Sequence, residues 1–166
     1  MSEFIDKLSS YNLFNYLLPG TVFAVLLRKV TGYDLIQENA LVGAFLYYFA
    51  GMLISRVGSL FVEPFLKWIK FLRFAPYKNF VKATAIDPKV ETLSETNNTY
   101  RTLVAMAVLL LLSMALDSAE TKWSWLSAHK YLLGLVGLLA LFLFSYRKQT
   151  NYIRDRVETV LEKERK

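Results

Sequence analysis

Cysteine is absent from the 166-residue chain, and histidine occurs once, at His129. Disulfide frameworks, thiolate metal sites, cysteine-linked haem and cysteine nucleophiles are therefore excluded together. With one imidazole and only 14 acidic residues, the material for hydrolytic or metal chemistry is thin. The expectation is a non-enzymatic protein with no catalytic residues, no metal site and no cofactor. Charge is scarce too, at 20% of residues, while 54% are hydrophobic against roughly 45–50% in average soluble domains. A mean hydropathy of +0.30 is too apolar for disorder.

The charge is missing from particular places. Residues 11–27, 40–54, 103–116 and 131–146 contain no Asp, Glu, Lys, Arg or His, sixty-two positions in all. At the average charge content about 12 of them would be charged. Each run is a little under the roughly 20 residues that cross a hydrocarbon core, so buried helices of a soluble bundle are the competing reading. Residues 103–116 are apolar on every side of a helix, however, and leave no wet face. Polar and aromatic flanks such as Asn98, Tyr100 and Tyr146 extend the runs at headgroup level. Because the runs are continuous rather than alternating, they read as helices and not barrel strands.

The expected fold is all-α, a polytopic membrane protein forming one membrane domain over residues 1–166. Four transmembrane helices fall at about 11–27, 40–62, 100–116 and 131–146. A cytoplasmic helical hairpin occupies 63–99, and an amphipathic C-terminal helix 151–166. The first run is not a cleavable signal, since Glu3 and Asp6 offset Lys7 and Leu27-Arg28-Lys29 is no small-residue cleavage site.

Orientation follows from the basic residues. Sixteen of the 20 lie in the N-terminus, the 55–102 segment and the tail, and only Arg28, Lys29, Lys122 and Lys130 lie in the two short loops. The positive-inside rule then puts both termini in the cytoplasm, here of a bacterial inner membrane. The net charge of +6 belongs to the cytoplasmic side. It implies attraction to an anionic inner leaflet and makes direct nucleic-acid binding unnecessary. Trp123 and Trp125 read as an interfacial aromatic anchor, and His129 as a solvated loop residue.

Within the hairpin, helical spacing from Val57 to Leu72 carries the second helix past the membrane with a bend near Pro64, and Ala75-Pro76 ends it. Asp87-Pro88 is a helix start leading into the third span. In the tail Ile153, Val157, Val160 and Leu161 make an apolar stripe that packs on the hairpin, docks a cytoplasmic partner protein or lies on the inner leaflet. Phe4, Ile5, Leu8, Tyr11 and Asn12 suggest an amphipathic lead helix, and Pro19-Gly20 predicts a kink in span one. Small residues recur on span two at Gly43, Gly51, Ser55 and Gly58 and on span four at Gly134 and Gly137. They admit close helix packing within the chain or in a homo-oligomer.

Residues 11–20 (Tyr-Asn-Leu-Phe-Asn-Tyr-Leu-Leu-Pro-Gly), with 45–49 (Phe-Leu-Tyr-Tyr-Phe) and 97–102 (Asn-Asn-Thr-Tyr-Arg-Thr), resemble a group of small, uncharacterised bacterial four-span inner-membrane proteins. Some of these are associated with phage-defence and mobile-island loci. The resemblance covers most of the chain, rests on no catalytic motif and supplies no site residues; it implies a bacterial inner membrane and a defence role. No span holds the buried carboxylate that proton-coupled transport needs. No protease constellation and no phosphate-cradling glycine loop occurs. The leading expectation is an oligomeric membrane effector or channel-like component controlled through its cytoplasmic face. A non-conducting scaffold that recruits a cytoplasmic partner is the alternative, and a small transporter subunit comes third. Asn12, Asn15, Thr21 and Ser113 are the few polar residues available to a pore, which would rest closed.

The orientation is directly testable. Fluorescent protein fused after Lys166 is expected to fluoresce and alkaline phosphatase at the same point to stay inactive; the reverse pattern would invert the charge assignment.

Overall fold

The computed structural model describes residues 13–164, apart from the side chains of Phe14 and of 162–164. The lead helix read at Phe4, Ile5, Leu8, Tyr11 and Asn12 lies outside the described residues. Helix accounts for 85% of the structure, with no strands among the described residues. A π turn, Leu13–Leu17, runs into α1, Leu18–Val30. Helix α2, Ala40–Val57, continues through a second π turn, Gly58–Val62, into α3, Glu63–Trp68. Then come α4, Tyr77–Ile86, α5, Lys89–Glu120, and α6, Ser124–Glu164.

Three helices are long and apolar enough to cross a membrane: Ala40–Trp68, Lys89–Glu120 and Ser124–Leu161. At 1.5 Å per residue the 41 residues of α6 reach about 60 Å, twice a hydrocarbon core. The tail is thus no separate helix but the unbroken continuation of residues 131–146. No glycine or proline interrupts 147–164, so nothing in the backbone stops propagation.

Both π turns have the same cause. Each ends two residues before a proline, Pro19 in the first case and Pro64 in the second. A proline ring clashes with the carbonyl four residues back in a regular helix, and widening the preceding turn relieves that clash. The chain therefore passes through Pro19-Gly20 and through Pro64 as helix.

Helices α1 and α2 pack antiparallel at backbone distance. A Cβ at Gly20 would run into the Tyr47 carbonyl and come within 2.8 Å of Gly51 N. A Cβ at Gly51 would run into the Tyr16 carbonyl and lie 2.9 Å from Tyr16 Cα. The two glycines interlock. Ile54, Val62 and Ala105 form the buried core where α5 crosses this pair, with Phe23, Met106 and Leu109 packed around it.

The second helix stops sooner than the apolar spacing predicts, at Trp68 rather than Ala75-Pro76. Lys70 adopts φ 61°. Its N–H donates to Lys67 O at 3.0 Å and the Phe71 N–H to Leu66 O at 2.9 Å. This bond pair is a Schellman cap, closed by a lysine where glycine is favoured. Beyond it, Asp87 Oδ1 accepts the Lys89 N–H at 3.0 Å and starts α5 where the Asp-Pro pair predicts.

Left-handed backbone costs a non-glycine residue about 1 kcal/mol. Lys70→Gly is expected to raise the melting temperature in mild detergent by about 2–4 °C; no rise would contradict the cap.

Candidate functional site, a cationic cavity where three helices leave the apolar zone

The π turn at Gly58–Val62 does more than pass a proline. The Glu63 N–H reaches back to Gly58 O, and Pro64, next in line for Ser59 O, has no N–H to give. Lys148 of α6 fills the place: its Nζ donates to Ser59 O at 2.6 Å and to Ser59 Oγ at 2.8 Å. The proline in one helix thus creates the acceptor that docks another.

One residue later, Glu63 is 7% exposed. Its Oε1 accepts from Lys67 Nζ at 2.7 Å and its Oε2 from Arg101 Nη1 at 2.9 Å. A buried carboxylate persists only when its oxygens are met in this way. Glu63, Arg101 and Lys67 face a cavity of about 640 Å³ that Arg56 and Tyr152 also line. Arg56, Arg101 and Lys148 each lie within two residues of the end of an uncharged run, so the cavity sits at the edge of the apolar zone.

Directly toward the apolar side, three helices share a polar knot. Asn15, 1% exposed, and Thr102, fully buried, are among the most enclosed side chains. Thr102 Oγ1 lies 3.0 Å from Asn15 Oδ1, 2.9 Å from Asn98 O and 3.2 Å from Ser55 Oγ. A hydroxyl has one proton to give and two lone pairs, so it donates to one carbonyl oxygen and accepts from Ser55. Asn15, one of the few polar residues that the sequence offers to a pore, is enclosed among helices.

The opposite end is closed by neutral pairs. Tyr33 OH donates to Glu120 Oε1 at 2.6 Å, Lys130 Nζ to Glu120 Oε2 at 2.9 Å, and Arg28 pairs with Asp34 at 3.4 Å. Burial, and then the Glu120 carboxylate, push the Tyr33 hydroxyl up to about 12. Trp123 and Trp125 are exposed there, and the His129 ring stacks on Trp125 with centroids 4.9 Å apart.

The small residues divide between inner and outer roles. Ser55 joins the knot, Gly51 meets Tyr16, and Gly58 lies against Ala105 and Arg101, all within the chain. Gly43 faces the ring of Tyr47 on its own helix. A Cβ added at Gly134 or Gly137 would meet no other packing atom within 4 Å among the described residues. In the tail, Ile153 and Val157 border an open groove of about 440 Å³ with Tyr77 and Tyr152, whose rings stack at 6.2 Å, while Val160 and Leu161 are exposed. Sequence reasoning did not single out Glu63. Its signal was available: Glu63 is the only acidic residue between Glu38 and Asp87, and it borders an apolar run.

The chain matches no family model, no curated protein and no solved structure.

Removing the acid from a buried pair strands its cations and costs about 3 kcal/mol. Glu63→Gln is expected to destabilise the detergent-solubilised protein by that order in an unfolding titration. A neutral substitution would show that the carboxylate does not hold α3 to α5.

Proposed function

We propose that this chain is a non-enzymatic, four-span subunit of a bacterial inner membrane with both termini in the cytoplasm. In this reading it assembles with copies of itself and works as a membrane effector or channel-like component, in a system of the anti-phage kind, governed through its cytoplasmic face. The first span is the π turn and α1 together, 18 residues or about 27 Å. The resemblance supports the bacterial setting and the defence role.

The observation that carries the assembly is on α6. Every residue from 131 to 137 is exposed, nearly two full turns with no covered side. A span packed into a finished bundle covers one flank, and here both glycines of that stretch, Gly134 and Gly137, are open. Small residues let helices approach closely in lipid, where apolar contact with acyl chains gives no net drive. A second copy seated on α6 would supply the missing flank. The polar side chains once available to a pore are few, and Asn15 is held in the knot, so the resting assembly is closed.

A scaffold reading draws on a separate observation. Ile153, Val157 and Leu161 are each at least half exposed on the cytoplasmic part of α6, which suits docking of a partner protein.

Gly134→Leu with Gly137→Leu is expected to convert an oligomer to monomers by mass measurement in detergent, with unfolding unchanged. A monomeric native protein, or an oligomer indifferent to both leucines, would overturn the assembly.

A further inference from the structure

The two ends of the molecule treat their cations differently. At the Tyr33 end Lys130 and Arg28 have carboxylate partners. At the other end Arg56, Lys67 and Arg101 line the cavity with a single carboxylate, Glu63, whose two oxygens are already taken by Lys67 and Arg101. Arg56 lines the cavity and makes no side-chain hydrogen bond or ion pair among the described residues. Just outside that lining, Lys148 donates to the neutral oxygens of Ser59, a residue of the cavity wall. Arg101 holds a buried Nε–H that meets no acceptor. Three cations against one anion leave an excess of two positive charges in the wall of a partly enclosed space, and gathering like charges there is unfavourable without a counter-ion.

We infer that this cavity binds a phosphate group, with Arg56 and Arg101, the two arginines in its wall, as principal donors. Guanidinium groups present parallel N–H donors that match phosphate oxygens, and both residues are arginine. The cavity also carries the side chains of Asn97 and Asn98, which supply neutral donors. The donors stand at the depth where a phospholipid phosphate lies, because Arg56 and Arg101 directly flank uncharged runs. Two sources share this chemistry, the headgroup of an anionic lipid and a free phosphate or phosphomonoester from the cytoplasm. The inference does not rest on self-assembly, since every residue named comes from one chain.

The test uses full-length protein in a neutral detergent, with inorganic phosphate as one probe and short-chain phosphatidic acid against phosphatidylcholine as the other. Binding is read by native mass spectrometry and by the shift of the unfolding midpoint. Arg56→Gln is expected to weaken binding by about tenfold, Arg56→Lys to retain part of it, and Lys82→Gln, on the exposed side of α4, to leave it unchanged. Selectivity for phosphatidic acid alone assigns a lipid site, and binding of inorganic phosphate assigns a site open to the cytoplasm; each upholds the phosphate site. Equal binding by native protein and Arg56→Gln, equal losses in Arg56→Gln and Lys82→Gln, or binding of neither probe by a native protein of intact helix content would overturn it. The elution profile and helix content of Arg56→Gln identify a folding failure, in which case the graded response of Arg56→Lys decides.

Discussion

The reciprocal contact between Gly20 and Gly51 is the constraint from which the other packing follows. Each glycine lies against a carbonyl of the opposite helix, so α1 and α2 approach at backbone distance. At that separation Asn15, in the π turn leading into α1, reaches Thr102 of α5 while Ser55 of α2 meets the same hydroxyl. An interhelical hydrogen bond of this kind contributes about 0.6 kcal/mol. Its larger effect is on register, because an amide buried in an apolar surround fits at one place and no other.

From the knot outward, the chain uses proline to make a polar feature without ending a helix. Pro64 forces a π turn, the turn leaves Ser59 O without a backbone donor, and Lys148 supplies the missing proton. The same turn places Glu63 beside Arg101. A carboxylate, a backbone carbonyl and the basic side chains of Lys67, Arg101 and Lys148 thus come together where α2, α5 and α6 leave the apolar stretches of sequence. The Tyr33 end carries paired charges, whereas this end carries surplus positive charge. Such a distribution gives the molecule a face with unmet demand for an anion.

Much of this architecture is legible in the chain itself. The uncharged runs at 40–54, 103–116 and 131–146 fall inside the three long apolar helices, because composition over a full window survives any detail of packing. The helix start after Asp87-Pro88 is equally plain, since its signal is local. What sequence spacing does not reveal is which partner a small residue meets. Gly51 and Gly134 read alike in a list of small residues, yet one is wedged against Tyr16 and the other is open. The cap at Lys70 escapes a rule that looks for glycine, and Glu63 looks like one more charge on an amphipathic surface until Arg101, thirty-eight positions away, is brought beside it.

The interlock can be tested through the sign of one substitution at two places. Glycine to alanine in an exposed helix position stabilises by about 1 kcal/mol through propensity alone. Against a backbone neighbour the added carbon must push two helices apart, at a cost of typically 1–3 kcal/mol or more. Unfolding of the detergent-solubilised protein should therefore show Gly51→Ala less stable than the native chain and Gly134→Ala equal or more stable. If Gly51→Ala matches Gly134→Ala, helices α1 and α2 do not meet at backbone distance, and the placement of Asn15, Ser55 and Thr102 fails with them.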